Sequence, residues 1–294
     1  MNESKTQISL YTMKELKEAP MNIPPYLLDP LIPMRGVVYL HGKWGSGKTA
    51  ISFEEAYSIG TGKPFMGLPT MKGRVAFLEV DIPEVLFRQR FATRIATLSD
   101  DTGIVWRFSP KPFNCLANNF HQTDERTQLA EIESKYQPNL VIVDTLRKVY
   151  YGDERDGGIA SQVYGTYQEI FPKSAIQFNA HNRKASTDAA VSVSDENFSG
   201  HQAWVNDAQS ALHVEKQAEP GRMRLKHTKS QYSELSPSIS LKLNEDGCYV
   251  LSLEDERTEA IKKIMAEAAP GSKKSDLDKQ IAKALVVSPR TARR

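Results

Sequence analysis

The stretch that decides the fold is Gly36-Val37-Val38-Tyr39-Leu40-His41, followed at once by Gly42-Lys43-Trp44-Gly45-Ser46-Gly47-Lys48-Thr49. The first part is an apolar run with the length of a buried strand. The second part matches the pattern G-x-x-x-x-G-K-[ST], and residues 49–60 after it have a helical pattern. A strand, a glycine-rich loop and a helix form the context in which this pattern binds phosphate, so we expect a nucleotide site here.

The chemistry of a nucleotide explains the residue types in this loop. Glycines let backbone N–H groups converge on phosphate oxygens, and the N-terminus of the following helix adds its positive dipole. Lys48 is expected to reach the β- and γ-phosphates of ATP, and Thr49 to place its hydroxyl on Mg²⁺. Trp44 packs either on the nucleotide, on a neighbouring subunit or in the core. The residues expected to bind the nucleotide are Gly42, Lys43, Trp44, Gly45, Ser46, Gly47, Lys48, Thr49 and Ala50.

Two further predicted strands end in carboxylates. The apolar run Leu140-Val141-Ile142-Val143-Asp144 places Asp144 where a second Mg²⁺ ligand is needed. The strand at 73–81 carries Glu79 and Asp81, which strand alternation would place on one face. Asp81 is the first choice for orienting the attacking water and Glu79 the second. Either acid could instead be solvated at the strand end or cap the next helix.

Strand and helix patterns alternate through most of the chain and then give way to hairpins. This order predicts an α/β fold, a mostly parallel sheet with flanking helices and an antiparallel C-terminal edge. We divide the chain into an extended lead-in at 1–30, an ATPase core at 31–256 and a basic helical tail at 257–294. The helices expected after the phosphate loop cover 82–98, 124–136, 161–171 and 201–212.

Composition is that of an ordinary globular protein. The 294 residues include 38 Lys and Arg, 36 Asp and Glu, and 40% hydrophobic residues, which excludes disordered and collagen-like chains. No window approaches the roughly 20 apolar residues that span a bilayer. The polar N-terminus does not resemble a secretory signal, so a cytoplasmic protein without a membrane partner is expected. The two cysteines, Cys115 and Cys248, favour a reducing compartment and speak against zinc.

The charge of the chain is unevenly distributed. Residues 257–294 carry ten basic and four acidic residues, whereas residues 1–256 have a net charge of −4. Two helix patterns in the tail are joined by a tight turn, and the second contains Arg290 and Arg293. This arrangement predicts a helix-turn-helix-like unit whose Arg290 and Arg293 contact duplex DNA. A plain helical tail or an oligomerisation bundle is the alternative.

The phosphate loop, the strand with Glu79 and Asp81, and the strand ending at Asp144 together resemble the RecA-like ATPase core. Within it they resemble the RepA type, found in hexameric replicative DNA helicases of plasmids and phages and in related AAA_25-class ATPases. The lead-in at 26–36 and the polar run at 178–184 also resemble that type. The resemblance implies a homo-oligomer, in the form of a hexameric ring that hydrolyses ATP between subunits, with single-stranded DNA in its pore.

The resemblance also implies roles for residues outside the loop. His181 would sense the γ-phosphate, and Arg183 and Lys184 would contact single-strand phosphates. Lys229 would act as a basic finger on the neighbour's ATP, although this chain has Gln231 where many ring helicases carry an arginine. Further contacts with the strand are possible from Arg147, Lys148 and Tyr150.

Three other functions remain open. A DNA-binding ATPase could load, remodel or aid recombination without unwinding. A partition-type ATPase also carries a lysine after the first glycine, as Lys43 does here, but it has a second glycine where Trp44 stands. A metabolite kinase needs an acceptor pocket under a lid, and no lid motif is visible.

Overall fold

The computed structural model describes residues 11–18, 25–99, 101–109, 112, 114–116, 123–153, 156–181, 202–245 and 248–252. The strands in these ranges are β1 Tyr26–Leu28, β2 Ile32–Pro33, β3 Gly36–Gly42, β4 Val75–Glu79, β5 Ile104–Phe108, β6 Leu140–Asp144, β7 Ala175–His181, β8 Ser210–Lys216, β9 Arg222–Ser230, β10 Ile239–Leu243 and β11 Tyr249–Leu251. The helices are α1 Met13–Glu18, α2 Lys48–Thr61, α3 Glu84–Arg90, α4 Ala92–Ile95, α5 Thr123–Tyr136, α6 Gly157–Ile170 and α7 Ala203–Asp207. A 3-10 turn covers Leu146–Lys148.

The main sheet has the strand order β11-β10-β9-β8-β3-β7-β6-β4-β5. The strands from β8 to β5 in this order run parallel, and β9, β10 and β11 extend the sheet in antiparallel fashion. The predicted mostly parallel sheet with an antiparallel edge is confirmed. Parallel register brings Gly42 beside His181 and Glu79 beside Asp144, at the carboxyl ends of their strands. Ligands of open α/β sheets bind at this edge.

Hydrophobic residues cover both faces of the sheet. On one face α2 and α3 bury Phe53 and Phe87 against the strands, and on the other α6 buries Tyr164 and Tyr167. The strands are apolar on both faces because helices cover both, as in other parallel sheets. The two layers fix the carboxyl ends of the strands relative to α2, which begins at the phosphate loop.

The end of the lead-in belongs to this core. β1 and β2 pair as a short antiparallel hairpin, and Leu27, Leu28 and Ile32 are buried against the α2 face of the sheet. The chain is therefore packed before residue 31, and the extended lead-in is a sequence expectation that holds only for its backbone at 26–28.

Two predicted helices are shorter than expected. The pattern at 82–98 forms α3 and α4, which are interrupted at Phe91, where the ring stacks on Phe53 with centroids 4.3 Å apart. The pattern at 201–212 forms only α7, because residues from Ser210 onward pair with β3 and β9. Tertiary pairing overrides local propensity in both places. The predicted helix-turn-helix-like tail at 257–294 lies outside the described residues.

A ladder of buried polar side chains joins α2 to β7. Lys48, Ser52 and Glu55 lie on one face of α2, and alternate residues of β7 meet them. The three rungs are Lys48–His181 at 3.0 Å, Ser52–Asn179 at 3.0 Å and Glu55–Gln177 at 2.6 Å, and we call this set the polar ladder. Burial raises the pKa of Glu55 from its ordinary value of 4.5 to about 8, against the opposing effect of the amide that Gln177 donates.

Replacing Glu55 by glutamine should flatten the pH dependence of stability. Between about pH 4.5 and 8 the folded chain keeps the Glu55 proton that the unfolded chain has lost, so the free energy of unfolding falls as pH rises. The slope for one proton is at most about 1.4 kcal/mol per pH unit. Urea unfolding at pH 5.5 and pH 8 should show Glu55→Gln gaining on the wild type at the higher pH. An unchanged gap would contradict this, and the exposed Glu84→Gln serves as the control.

Candidate nucleotide site

The phosphate loop lies between β3 and α2. Gly47 precedes α2 with φ 95°, a left-handed conformation that glycine adopts without strain. A Cβ at Gly47 would overlap the methyl carbon of Met223 and come within 3.2 Å of the Tyr249 hydroxyl. Glycine is therefore required both by conformation and by space. The turn directs the free N–H groups of the first turn of α2 to the cavity described below.

Lys48 is held inside the loop. Its Nζ donates to the carbonyl oxygens of Gly42 at 3.0 Å and Lys43 at 3.1 Å, and lies 3.0 Å from His181 Nδ1. Burial lowers the pKa of Lys48 to about 8, while Asp144 and Asp81 act in the opposite direction. Burial, and next the charge of Lys48, lower the pKa of His181. An anion bound here would supply the negative charge that this buried ammonium lacks.

Thr49 and Asp144 meet at the start of α2. Asp144 is hydrogen-bonded to Thr49 and to Asn179, and these contacts oppose the rise in its pKa that burial causes. Its Oδ2 is buried and has no hydrogen-bond partner among the residues that the structure describes. Hydroxyl and carboxylate oxygens are the ligands that Mg²⁺ prefers. The predicted pair of metal ligands is thus close together and retains an acceptor for a cation. Within the described ranges no group of three or more His, Cys, Asp or Glu has a metal-binding arrangement.

Strand alternation does not extend to Asp81, so the expected shared face of Glu79 and Asp81 is not formed. β4 ends at Glu79, whose Oε1 accepts the backbone N–H groups of Asp81 and Ile82 at 2.8 Å each. Glu79 is fully buried, and burial together with the charge of Asp144 raises its pKa to about 8. Its carboxyl group fixes the turn after the strand. That turn brings Asp81 to the wall of the cavity, whereas Glu79 lies behind it.

These side chains surround a cavity of about 640 Å³, within the range of small-molecule sites. One part of its lining is polar and the other is aliphatic and aromatic. Trp44 lies at the cavity with 86% of its surface exposed, which rules out the core position considered from sequence. The polar lining includes Lys48, Thr49, Asp81, Asp144 and His181, and the apolar lining includes Trp44, Leu86, Phe91, Leu243 and Tyr249.

Lys229 is engaged away from this cavity. Its Nζ donates to the carbonyl oxygens of Val205 at 2.9 Å, Asn206 at 2.5 Å and Ala208 at 2.7 Å. These oxygens lie at the C-terminal end of α7, where a cation is favoured by the helix dipole. All three ammonium hydrogens are used in this contact, so a finger role would require them to be released.

Replacing Lys229 by methionine should therefore lower the free energy of unfolding, by about 1–2 kcal/mol for the lost capping contacts. Denaturant unfolding measures this directly. The finger hypothesis predicts a different pattern, in which stability is kept and mixing with Lys48→Ala subunits restores turnover. Unchanged stability together with such restoration would contradict the capping role.

Some predicted residues cannot be placed, and others were missed. Arg183, Lys184, Arg290 and Arg293 lie outside the described residues. Asn179 was missed, although the polar alternation of Gln177, Asn179 and His181 along β7 is visible in the sequence. No local signal marks Leu243 and Tyr249, since they reach the cavity only through the antiparallel end of the sheet.

Comparisons with known proteins agree with this geometry. A family model named AAA_25, described as an AAA domain, matches residues 3–171, more than half of the chain. The solved ATPase domain of a helicase has a TM-score of 0.54 and 13% identity, covering 81% of this chain and 95% of that one. A KaiC-like protein, PH0186 of Pyrococcus horikoshii OT3, has a TM-score of 0.53 and 12% identity, covering 78% and 96%. No curated protein matches the chain by sequence. The predicted RecA-like fold is confirmed.

Proposed function

We propose, on the premise that the chain belongs to the AAA_25 family of AAA domains, that it is a DNA-dependent ATPase that works as a ring-forming replicative helicase of a mobile element. Its class, a RecA-like P-loop ATPase, is established by the family and the fold. The single observation that carries the proposal further is the convergence of Lys48, Thr49, Asp144 and Asp81 on one cavity of about 640 Å³. The substrate of this site is ATP.

Each of these side chains has a defined task in phosphoryl transfer to water. Lys48 neutralises phosphate charge, and the N–H groups of the loop bind phosphate oxygens. Thr49 and Asp144 hold Mg²⁺, which supplies charge stabilisation to the transferring phosphoryl group. Asp81 accepts a hydrogen from the attacking water and orients it. His181, 3.0 Å from Lys48 Nζ, is placed to respond to the γ-phosphate.

The apolar lining supports a nucleoside as the remainder of the ligand. Aromatic and aliphatic groups such as Tyr249 and Leu243 provide a surface for a planar base. The exposed Trp44 at the cavity is a reporter of binding, because a nucleotide that covers its ring changes its solvent contact. Nucleotide addition should shift the tryptophan emission of the wild type more than that of Trp44→Phe.

Assembly and DNA binding rest on the family resemblance. In this proposal a hexameric ring holds single-stranded DNA in its pore, and Arg183 and Lys184 contact its phosphates. The tail, with Arg290 and Arg293, binds duplex DNA. In the described part of the chain, no helix is long and apolar enough to cross a membrane.

A second candidate is an ATPase that binds DNA without unwinding it. The observation that favours it is the engagement of Lys229, whose ammonium is occupied by three carbonyl oxygens of the α7 end. A neighbouring site without a finger would stabilise the transferring charge less well. The chain has Gln231, a neutral residue, two positions later.

Steady-state ATP hydrolysis with and without single-stranded DNA, run beside unwinding of a forked duplex, tests the proposal. Stimulated hydrolysis with unwinding supports the helicase, and stimulated hydrolysis without unwinding supports the second candidate. Hydrolysis raised only by duplex DNA would favour a partition-type ATPase. No hydrolysis under any condition would refute both proposals. Analytical ultracentrifugation with and without ATP measures the ring.

A further inference from the structure

A lysine that the proposed mechanism does not use lies against the proposed catalytic acid. Lys148 is the last residue of the 3-10 turn that follows β6, and its Nζ lies 2.6 Å from Asp81 Oδ1. The sequence alone makes Lys148 a candidate contact for DNA phosphates. In the folded chain its ammonium instead forms an ion pair beside the nucleotide cavity, and its charge also contributes to the lowered pKa of His181.

The ion pair has little value for stability. The side chain of Lys148 is 35% exposed and that of Asp81 is 39% exposed. Pairs of this kind contribute about 0–1 kcal/mol, because water screens the charges and two long side chains must be ordered. A reason for the contact therefore has to be sought in the geometry of the site.

The backbone that carries Lys148 is firmly anchored. Leu146, Val149 and Tyr150 are buried around it, and the N–H of Val149 donates to the carbonyl of Leu146 at 3.1 Å. Cys115 N donates to the carbonyl of Val149 at 2.9 Å. The turn follows Asp144 directly, so the ammonium is presented from a base that is rigid relative to the proposed metal ligand.

The turn that carries Asp81 does not hold its carboxylate in the same way. The N–H groups of Asp81 and Ile82 are already taken by Glu79 Oε1. The Asp81 side chain is therefore not fixed by the donors nearest to it, and an aspartate with this exposure would otherwise rotate between several orientations. The contact with Lys148 selects one of them.

We infer that Lys148 is a positioning residue: it holds one carboxylate oxygen of Asp81 so that the other is directed to the water that attacks ATP. The inference rests on the proposed function, in which Asp81 orients that water. Lys148 touches neither substrate nor water in this role and acts through Asp81 alone. Binding of the nucleotide depends on the phosphate loop and does not require Lys148.

The experiment compares Lys148→Met, Lys148→Gln and Lys148→Arg with Asp81→Asn and the double variant Lys148→Met/Asp81→Asn. Lys148→Met should lower kcat roughly 10- to 100-fold, the range of a misplaced catalytic group, with KM for ATP nearly unchanged. Lys148→Arg should recover most of the loss. The double variant should be no slower than Asp81→Asn alone, because both changes remove the same function.

Lys226→Met is the matched control, since Lys226 pairs with Glu215 at 3.0 Å with side chains 27% and 37% exposed, and neither residue lines the cavity. Its kcat should equal that of the wild type. An unchanged or raised kcat in Lys148→Met, or losses that multiply in the double variant, would overturn the inference while the proposed function stands. Unfolding of both Lys148→Met and Lys148→Gln would also overturn it, as the role would be structural. A wild type that hydrolyses no ATP would refute the proposed function, and the inference with it.

Discussion

Replacing Lys48 by alanine is expected to reduce ATP turnover by about 1000-fold or more, the scale of losing a transition-state charge contact in phosphoryl transfer. The reason is local. Lys48 Nζ lies within reach of the loop carbonyls of Gly42 and Lys43 and of His181, so it already occupies the place where the terminal phosphates would bind. Steady-state phosphate release measures the loss, and calorimetric titration with ADP measures the accompanying fall in affinity.

The same variant should fold normally, which makes its kinetics interpretable. Burial lowers the pKa of Lys48 to about 8, so the folded chain holds this ammonium at a cost that alanine removes. We expect an unchanged or higher free energy of unfolding for Lys48→Ala at pH 7. Lys63→Ala, which replaces a lysine just beyond the end of α2, is the control and should turn over ATP at the wild-type rate. Turnover retained by Lys48→Ala would refute the site.

The fold was predictable from sequence where local patterns and tertiary packing agree. The apolar runs at β3, β4 and β6 are continuous because both faces of the sheet are covered, and such runs are recognisable without a partner. The pattern at 201–212 is different, since α7 stops at Asp207 and the following residues join β8. There the sheet decides, through pairs with β3 and β9 that lie far away in the chain.

The site was predictable to the extent that its chemistry is written in one segment. Lys48 and Thr49 follow from the loop alone, and Asp144 from a strand that ends in a carboxylate. The polar ladder was also within reach, because Lys48, Ser52 and Glu55 are spaced for one helix face while Gln177, Asn179 and His181 alternate. The contact of Lys148 with Asp81 was not predictable, since it depends on how the turns after β4 and β6 lie beside each other.

Asp81 and Glu79 offer the second large effect, because the structure gives them opposite surroundings. Asp81→Asn should lower kcat about 100-fold or more by removing the charge that orients water, with nucleotide affinity kept. Glu79→Gln should lower kcat only a few-fold on the same scale, because its carbonyl oxygen can accept the same N–H groups of Asp81 and Ile82. Single-turnover hydrolysis, measured with saturating protein, separates this chemical step from binding.

The contrast between the two variants decides which acid acts on water, and it does so without relying on either variant alone. At neutral pH the raised pKa of Glu79, about 8, leaves its carboxyl mainly protonated, so glutamine imitates the state that is already present. Asp81 is paired with the ammonium of Lys148 and lines the cavity, so asparagine removes a charge that the site uses. If Glu79→Gln abolished turnover while Asp81→Asn spared it, the roles would be reversed. The turn that Glu79 holds would then have to open before hydrolysis, because in this structure its carboxyl lies behind Asp81.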